Sequence, residues 1–326
     1  VSLPPSPNRP SSSPGVGLAC ALGAFVAWGL MPLYFKALGS VPPFQLVLHR
    51  SIWTAALMAV LLFTLGKWGD FLAVFRSGKS ASILVLSSIL ICANWFQYIL
   101  AMEWRRVQEA SLGYFITPLF SVVLAMVFLG EKLRLAQAIA SLLAAVGLFF
   151  LIKNTGQTPW LGLGLAFSFG FYGLLRKLAP VDPLVGLAAE TFLLFPIGVV
   201  GLAWVYAAGQ LEVDDKLQAV LIMLSGVVTA GPLLLFAAGV RALPLAVLGF
   251  FQYLSPTMQF ILAVTLLGEP IDQGRLFGFY WIWAALLLFS GEALWRWWLA
   301  GKAAVINASR DSVTGTDSNH GEQAEK

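Results

Sequence analysis

Ten apolar runs follow one another between Val16 and Leu299, each close to the roughly 20 residues an α-helix needs to cross a hydrocarbon core. They are placed at 16–38, 44–65, 80–102, 107–129, 133–152, 159–178, 184–207, 217–239, 243–268 and 272–299. A water-soluble fold has nowhere to bury so much apolar surface. Only 11% of residues are charged, against about a quarter in soluble domains, and the mean hydropathy is +0.82. The expected fold is therefore all-α and membrane-embedded, with the lipid bilayer as solvent. The first run is too long for the apolar region of a cleavable leader, so it is expected to stay as a span. The Pro/Ser-rich residues 1–15 and the polar residues 300–326 cannot bury enough surface to fold and are expected to be disordered tails.

Charge orients the chain. With the N-terminus in the cytoplasm, 13 of the 20 Lys and Arg residues fall on the cytoplasmic side and 6 on the other, and Arg50 lies inside a span. The bias of basic residues toward cytoplasmic loops then places both termini inside. The basic residues stand singly between apolar runs, which gives no surface for nucleic acid.

The chain also repeats itself. Ser111-Leu-Gly-Tyr-Phe-Ile-Thr-Pro118 ends thirteen residues before Glu131, and Val247-Leu-Gly-Phe-Phe-Gln-Tyr-Leu-Ser-Pro256 ends thirteen before Glu269. Each glutamate follows a glycine. Gly15, Ala19 and Gly23 match Gly162, Ala166 and Gly170, and Val41-x-Pro43 matches Val181-x-Pro183. Two repeats are read, 16–152 and 153–299. With five spans apiece, the second must enter the membrane upside down, as in many secondary transporters whose substrate binds near the midplane between halves. Stripes of small residues such as Ala19/Gly23/Ala27, Gly162/Ala166/Gly170 and Ala136/Ala140/Ala144 are read as helix contacts. Pro32, Pro118 and Pro256 are hinge candidates; Pro196 and Pro232 also fall inside spans.

Ionisable groups inside a membrane are costly, so those retained are candidates for function. Arg50, with His49 beside it, lies six residues into the second span, at a depth of ~9 Å. Glu190 lies six residues into the seventh span from the opposite face, at the repeat-equivalent position. Arg50 is read as attracting an anionic or carbonyl group of a solute. Glu190 is read as holding a cation, taking a coupling proton or pairing with a basic group. The structural alternative is local pairing, for instance Arg50 with Glu109. Asn94, Trp28, Tyr114, Tyr172, Gln252 and Tyr253 add polar and aromatic groups to the candidate pathway.

Enzyme chemistry finds no motif. There is no G-x-S-x-G, H-E-x-x-H, G-x-x-x-x-G-K-[ST] or G-x-G-x-x-G, so no catalytic residue, metal site or cofactor is expected. Cys20 and Cys92 both lie in apolar runs, without the spacing of a disulfide framework or a metal site.

His49-Arg50-Ser-Ile-Trp53, Asn94-Trp95, Glu109-Ala-Ser-Leu-Gly-Tyr-Phe-Ile-Thr-Pro118, Gly130-Glu131, the run Gly164 to Lys177 and Leu248 to Pro256 resemble the RarD-type permeases, in the EamA branch of the drug/metabolite transporter superfamily. The resemblance covers about residues 16–299. It implies ten helices in two inverted repeats, a bacterial inner membrane, and export of a small metabolite or drug, such as an amino-acid-like or phenicol-like solute, in exchange for protons. Two alternatives stay open: a flippase for lipid-linked metabolites, and a membrane sensor or assembly partner that binds without transport.

Overall fold

The computed structural model describes residues 14–155, 158–266, 268, 273–292 and 295. Every regular element among them is a helix: α1 (Pro14–Gly29), α2 (Met31–Leu38), α3 (Pro43–Thr64), α4 (Trp68–Arg76), α5 (Gly78–Glu103), α6 (Val107–Leu129), α7 (Leu135–Thr155), α8 (Trp160–Leu178), α9 (Pro183–Ala207), α10 (Lys216–Ala242), α11 (Leu245–Gln252), α12 (Leu254–Thr265) and α13 (Gln273–Glu292). Nine segments among the described residues are long and apolar enough to cross a membrane, α1 with α2 and α11 with α12 each forming one. The run expected at 159–178 forms α8, which is rich in glycine and less apolar because Arg176 and Lys177 occupy its last turn. Side chains such as Phe63, at 78% exposure, and Leu287, at 75%, point outward. An apolar surface of that extent is stable only against lipid.

Helix ends follow local chemistry. Asp182 caps α9, its carboxylate accepting from Leu184 N at 2.9 Å, with Pro183 at the first helical position. Asp215 caps α10 by accepting from Gln218 N at 2.7 Å. Gly130 ends α6 with φ +64°, a left-handed conformation that favours glycine. That turn throws Glu131 across to the start of α11, where its two carboxylate oxygens accept from Leu245 N at 2.8 Å and Ala246 N at 3.0 Å. The Gly-Glu pair, a repeat marker in the sequence, thus ties one half of the chain to the other. Its counterpart Glu269 lies outside the described residues, as do both expected tails apart from the residues at 14 and 15.

Loops gather at two ends. At the Gly39 end, Gln45 Nε2 donates to Glu212 O at 2.8 Å and Gln218 Nε2 to Leu38 O at 2.9 Å. At the Lys67 end, Lys67 pairs with Asp182 at 3.1 Å and the Arg241 guanidinium donates to Val181 O. The segment between the second and third runs contains α4, which buries Phe71 and Val74; Phe71 packs on Phe192 of α9.

In the interior, α1 packs on α10, α11 and α12; α8 packs on α5 and α6; α3 packs on α9 and α10; α5 packs on α9; and α6 packs on α11. Small residues make the closest of these contacts. A Cβ on Gly162 would meet Glu109 O at 2.7 Å, and one on Gly113 would meet Gly162 O at 2.9 Å, so α6 and α8 touch backbone to backbone. The α8 stripe is a contact surface as expected. The α1 stripe is one only in part: Gly23 lies against Leu235 of α10, but Ala19 is exposed and the most buried face runs through Gly17, Ala21 and Ala24.

The prolines divide into two kinds. Helix is interrupted at Leu30, two residues before Pro32, and at Tyr253, three before Pro256. A proline leaves the carbonyl four residues back without its helical donor; for Pro32 this is Trp28 O, which accepts instead from Gln259 Nε2 at 3.0 Å. Helices α6, α9 and α10 run unbroken through Pro118, Pro196 and Pro232.

Candidate functional site

Polar groups in the interior form two clusters, one in the half of the molecule nearer each end. Toward the Gly39 end, Arg50 sits seven residues beyond Pro43, on the third turn of α3. Its Nε donates to Thr229 Oγ1 of α10 at 2.8 Å, and its guanidinium carbon lies 5.0 Å from the centre of the Trp95 ring of α5. Tyr34 of α2, Tyr98 of α5 and Tyr114 of α6 are within electrostatic range of it. Tyr114 is 42% exposed although Gly113 and Phe115 beside it are buried, and Arg50 is half-buried; the space around these two side chains is termed the Arg50 chamber.

Toward the Lys67 end, Glu190 is enclosed. Its carboxylate accepts from Ser87 Oγ of α5 at 2.5 Å, from Tyr172 Oη of α8 at 3.2 Å and from Arg176 Nη1 at 3.4 Å. The side chains of the Arg176–Glu190 pair are each 2% exposed. Arg176 Nη2 also donates to Pro183 O at 3.1 Å, while its Nε is buried without a partner. Gly186, one turn before Glu190, makes this possible: a Cβ there would come within 2.1 Å of Arg176 Nη1.

Aromatic rings lie between the clusters. Trp28 meets Phe169 edge-on at 5.7 Å, Phe236 touches Phe25, Trp28 and Phe169, and Tyr172 stacks on Phe236 at 6.1 Å. Trp28 and Tyr172, chosen from the sequence, therefore belong to one aromatic cluster, which reaches Glu190 through the Tyr172 hydroxyl.

The remaining candidates are placed differently. Asn94 Nδ2 donates to Leu165 O at 3.0 Å and to Ser168 Oγ at 2.9 Å, binding α5 to α8. Gln252 Nε2 donates to Ser121 Oγ at 3.3 Å and Tyr253 Oη to Phe115 O at 3.2 Å, so both are buried at the α6–α11 contact. His49 Nε2 is buried without a hydrogen-bond partner. The pairing of Arg50 with Glu109 does not form: Glu109 accepts from Leu161 N at 2.8 Å and pairs with Arg106 at 2.7 Å. Sequence reasoning missed Arg176, Ser87, Thr229, Tyr34 and Tyr98. A signal existed for Tyr98, three residues from Trp95 and so on the same helical face. Cys20 and Cys92 are free, and no group of three His, Cys, Asp or Glu among the described residues could hold a metal ion.

A bundle of long apolar helices that holds Arg50 and a buried Arg176–Glu190 ion pair in its interior is the form of a multi-pass membrane protein with a polar interior. Comparison with known proteins narrows this. Residues 15–153 match the model of the EamA-like transporter family. The uncharacterized transporter PA0485 of Pseudomonas aeruginosa is 41% identical over 283 residues, 86% of this chain and 94% of that protein. Protein RarD of Escherichia coli is 38% identical over 281 residues, covering 86% and 95% respectively. The uncharacterized transporter YojE of Bacillus subtilis is 40% identical over 286 residues, covering 86% and 95%. One solved crystal structure shares the fold at a TM-score of 0.65 and 18% identity, over 86% of this chain and 98% of that one. The chain belongs to the EamA-like transporter family, as a RarD-type permease of the drug/metabolite transporter superfamily.

Proposed function

We propose that this transporter is a secondary exporter of the bacterial inner membrane, which moves a small metabolite or drug outward through the Arg50 chamber in exchange for protons. In this reading ten helices form two inverted repeats, 16–152 and 153–299, and both termini are cytoplasmic. The Gly39 end then faces outward. The observation that carries the reading is the contrast between repeat-equivalent positions: Arg50 is half-buried near the exposed Tyr114, whereas Glu190 is sealed by Arg176, Tyr172 and Ser87.

Helix packing supports the inverted repeat, because it is reciprocal under exchange of the halves. The contact of α1 with α10 has its counterpart in that of α8 with α5, and α3 with α10 in α9 with α5. The contact of α1 with α11 and α12 corresponds to that of α8 with α6. The contacts α3–α9 and α6–α11 map onto themselves. Pro118 and Pro256 occupy equivalent places, yet α6 is continuous and its counterpart is broken at Tyr253. Two repeats in different conformations are what alternating access requires, since exchanging their shapes opens the other side. Glu190 is the proton-exchanging carboxylate in this scheme, and loss of its charge frees Arg176 and unseals the Lys67 end.

The test is flux in liposomes. Purified protein should move a radiolabelled solute against an inward proton gradient, a dissipating ionophore should abolish the movement, and Glu190→Gln should uncouple it. Equal flux with and without the gradient in the wild type would remove the proton-exchange step.

A second reading, a flippase for lipid-linked metabolites, has one observation in its favour. A lateral groove of about 460 Å³ opens between α5 and α9, lined by apolar residues including Val85, Ile89, Phe96 and Ile197, with Ser88 and Cys92. Protein-dependent transfer of a short-chain fluorescent lipid between leaflets would favour it; unchanged transfer rates would dismiss it.

A further inference from the structure

Arg50 is a cation without a counter-charge. Among the described residues four ion pairs form, and none includes Arg50. Its one hydrogen bond there uses Nε, to the neutral Thr229 hydroxyl. The two terminal nitrogens make none and are not among the sealed-off polar atoms, so they keep accessible surface. The aromatic groups around it are Trp95, Tyr34, Tyr98 and Tyr114, none of them a carboxylate. The acidic group at the equivalent repeat position is spent on Arg176.

A guanidinium held in a membrane interior is retained at a cost unless something neutralises it. Its unused face is a planar fork of two N–H groups, the shape that accepts both oxygens of a carboxylate in parallel hydrogen bonds. The Trp95 ring lies against the guanidinium, a platform for an apolar or aromatic body. The Tyr34 hydroxyl already donates to Leu221 O at 2.9 Å, so the hydroxyls of Tyr98 and Tyr114 are the ones with a proton to offer an oxyanion, and all three can accept from other polar groups of a solute.

From this we infer that the solute is a small monocarboxylate with an apolar or aromatic body, held by its carboxylate on the terminal nitrogens of Arg50. The inference rests on the Arg50 chamber being the solute site of the proposed transporter, and it sharpens that reading. A neutral phenicol-like molecule supplies no counter-charge and is a poor ligand here.

The test uses full-length protein in nanodiscs and a matched pair of probes, phenylacetate and the nearly isosteric neutral phenylacetamide, with butyrate and phenylalanine as further carboxylates. A ligand of the native state raises the unfolding temperature in step with its concentration over Kd. At least one carboxylate should give a saturable shift in the wild type, and phenylacetamide should bind at least about tenfold more weakly than phenylacetate. Arg50→Gln should abolish the preference for the charged member and Arg50→Lys should keep part of it, a pattern that a purely structural arginine would not produce. The wild-type comparison needs no variant, so misfolding of Arg50→Gln leaves the test intact. Equal binding of acid and amide, no saturable shift with any of the carboxylates, or a preference that survives Arg50→Gln would overturn the inference. Arg50-dependent carboxylate binding without flux in liposomes would leave it standing and sink the transport reading; proton-driven flux of phenylacetamide equal to that of phenylacetate would do the reverse.

Discussion

Substitution of Glu190 by Gln removes one charge from the Arg176–Glu190 pair while nearly preserving shape. Both side chains are 2% exposed, so solvent screens neither. The Arg176 guanidinium would be left with Pro183 O, an amide oxygen in place of the carboxylate, and an Nε that already lacks a partner. Breaking a buried pair from one side costs the closed conformation about 3–5 kcal/mol, because the remaining charge is buried there without its partner, and this cost is also what drives the Lys67 end to open. On the scale of about 2–4 °C per kcal/mol for chains up to 250 residues, the apparent Tm should fall by at least roughly 5 °C. The assay is thermal unfolding in nanodiscs at one scan rate, which irreversible membrane proteins require. The Lys67–Asp182 bridge is the internal control: its side chains are 33% and 42% exposed, and Lys67→Met should cost no more than about 1 kcal/mol. The double variant Arg176→Met/Glu190→Leu removes both charges and should recover most of the loss. If Glu190→Gln proved no more disruptive than Lys67→Met, or the double variant lost the sum of its singles, the closed ion pair described above would be wrong.

Two further outcomes follow from the packing. Gly162→Ala places a Cβ 2.7 Å from Glu109 O and should force α6 and α8 apart at a cost of about 1–3 kcal/mol, whereas Gly231→Ala, with no atom within 4 Å of the added carbon, should be nearly silent in the same unfolding assay. Glu131→Ala strips the acceptors from Leu245 N and Ala246 N and should speed amide exchange across the first turn of α11, while Glu131→Gln, which keeps one acceptor, should show a smaller effect by hydrogen-exchange mass spectrometry.

The spans were legible because hydropathy is a local property: α6 begins and ends where its apolar run does, and α3 differs by one residue at each end. Arg50 and Glu190 were legible as charges inside spans. Their surroundings were not, because partners come from helices distant in sequence. Arg176 counted in the sequence only as one more basic residue near a span end; that it turns inward depends on the room left by Gly186 on the neighbouring helix. The α1 contact face was only partly legible for a similar reason: glycine and alanine occur on several faces of that helix, and the approach of Gly239 and Ala242 selects Gly17 and Ala21 beside the expected Gly23. Asn94 was legible as a polar group inside a span, but its partners Leu165 O and Ser168 Oγ on α8 were not, because they lie far off in sequence. Which prolines break their helices was also beyond local reading, for Pro118 and Pro256 share a motif and differ in outcome.

The most direct test of the central claim, that the Arg50 chamber opens to one side of the membrane at a time, is cysteine accessibility in a background lacking Cys20 and Cys92. Single cysteines at Tyr114 and at Ser87 would be probed with a membrane-impermeant maleimide applied from either side of oriented vesicles. An alternating-access permease in the state described here should label at Tyr114 from the Gly39 side and remain unreactive at Ser87. An inward-opening condition, such as Glu190→Gln, should protect Tyr114 and expose Ser87 to the Lys67 side. Labelling of both positions from both sides in a single condition would contradict the claim and point instead to an open pore.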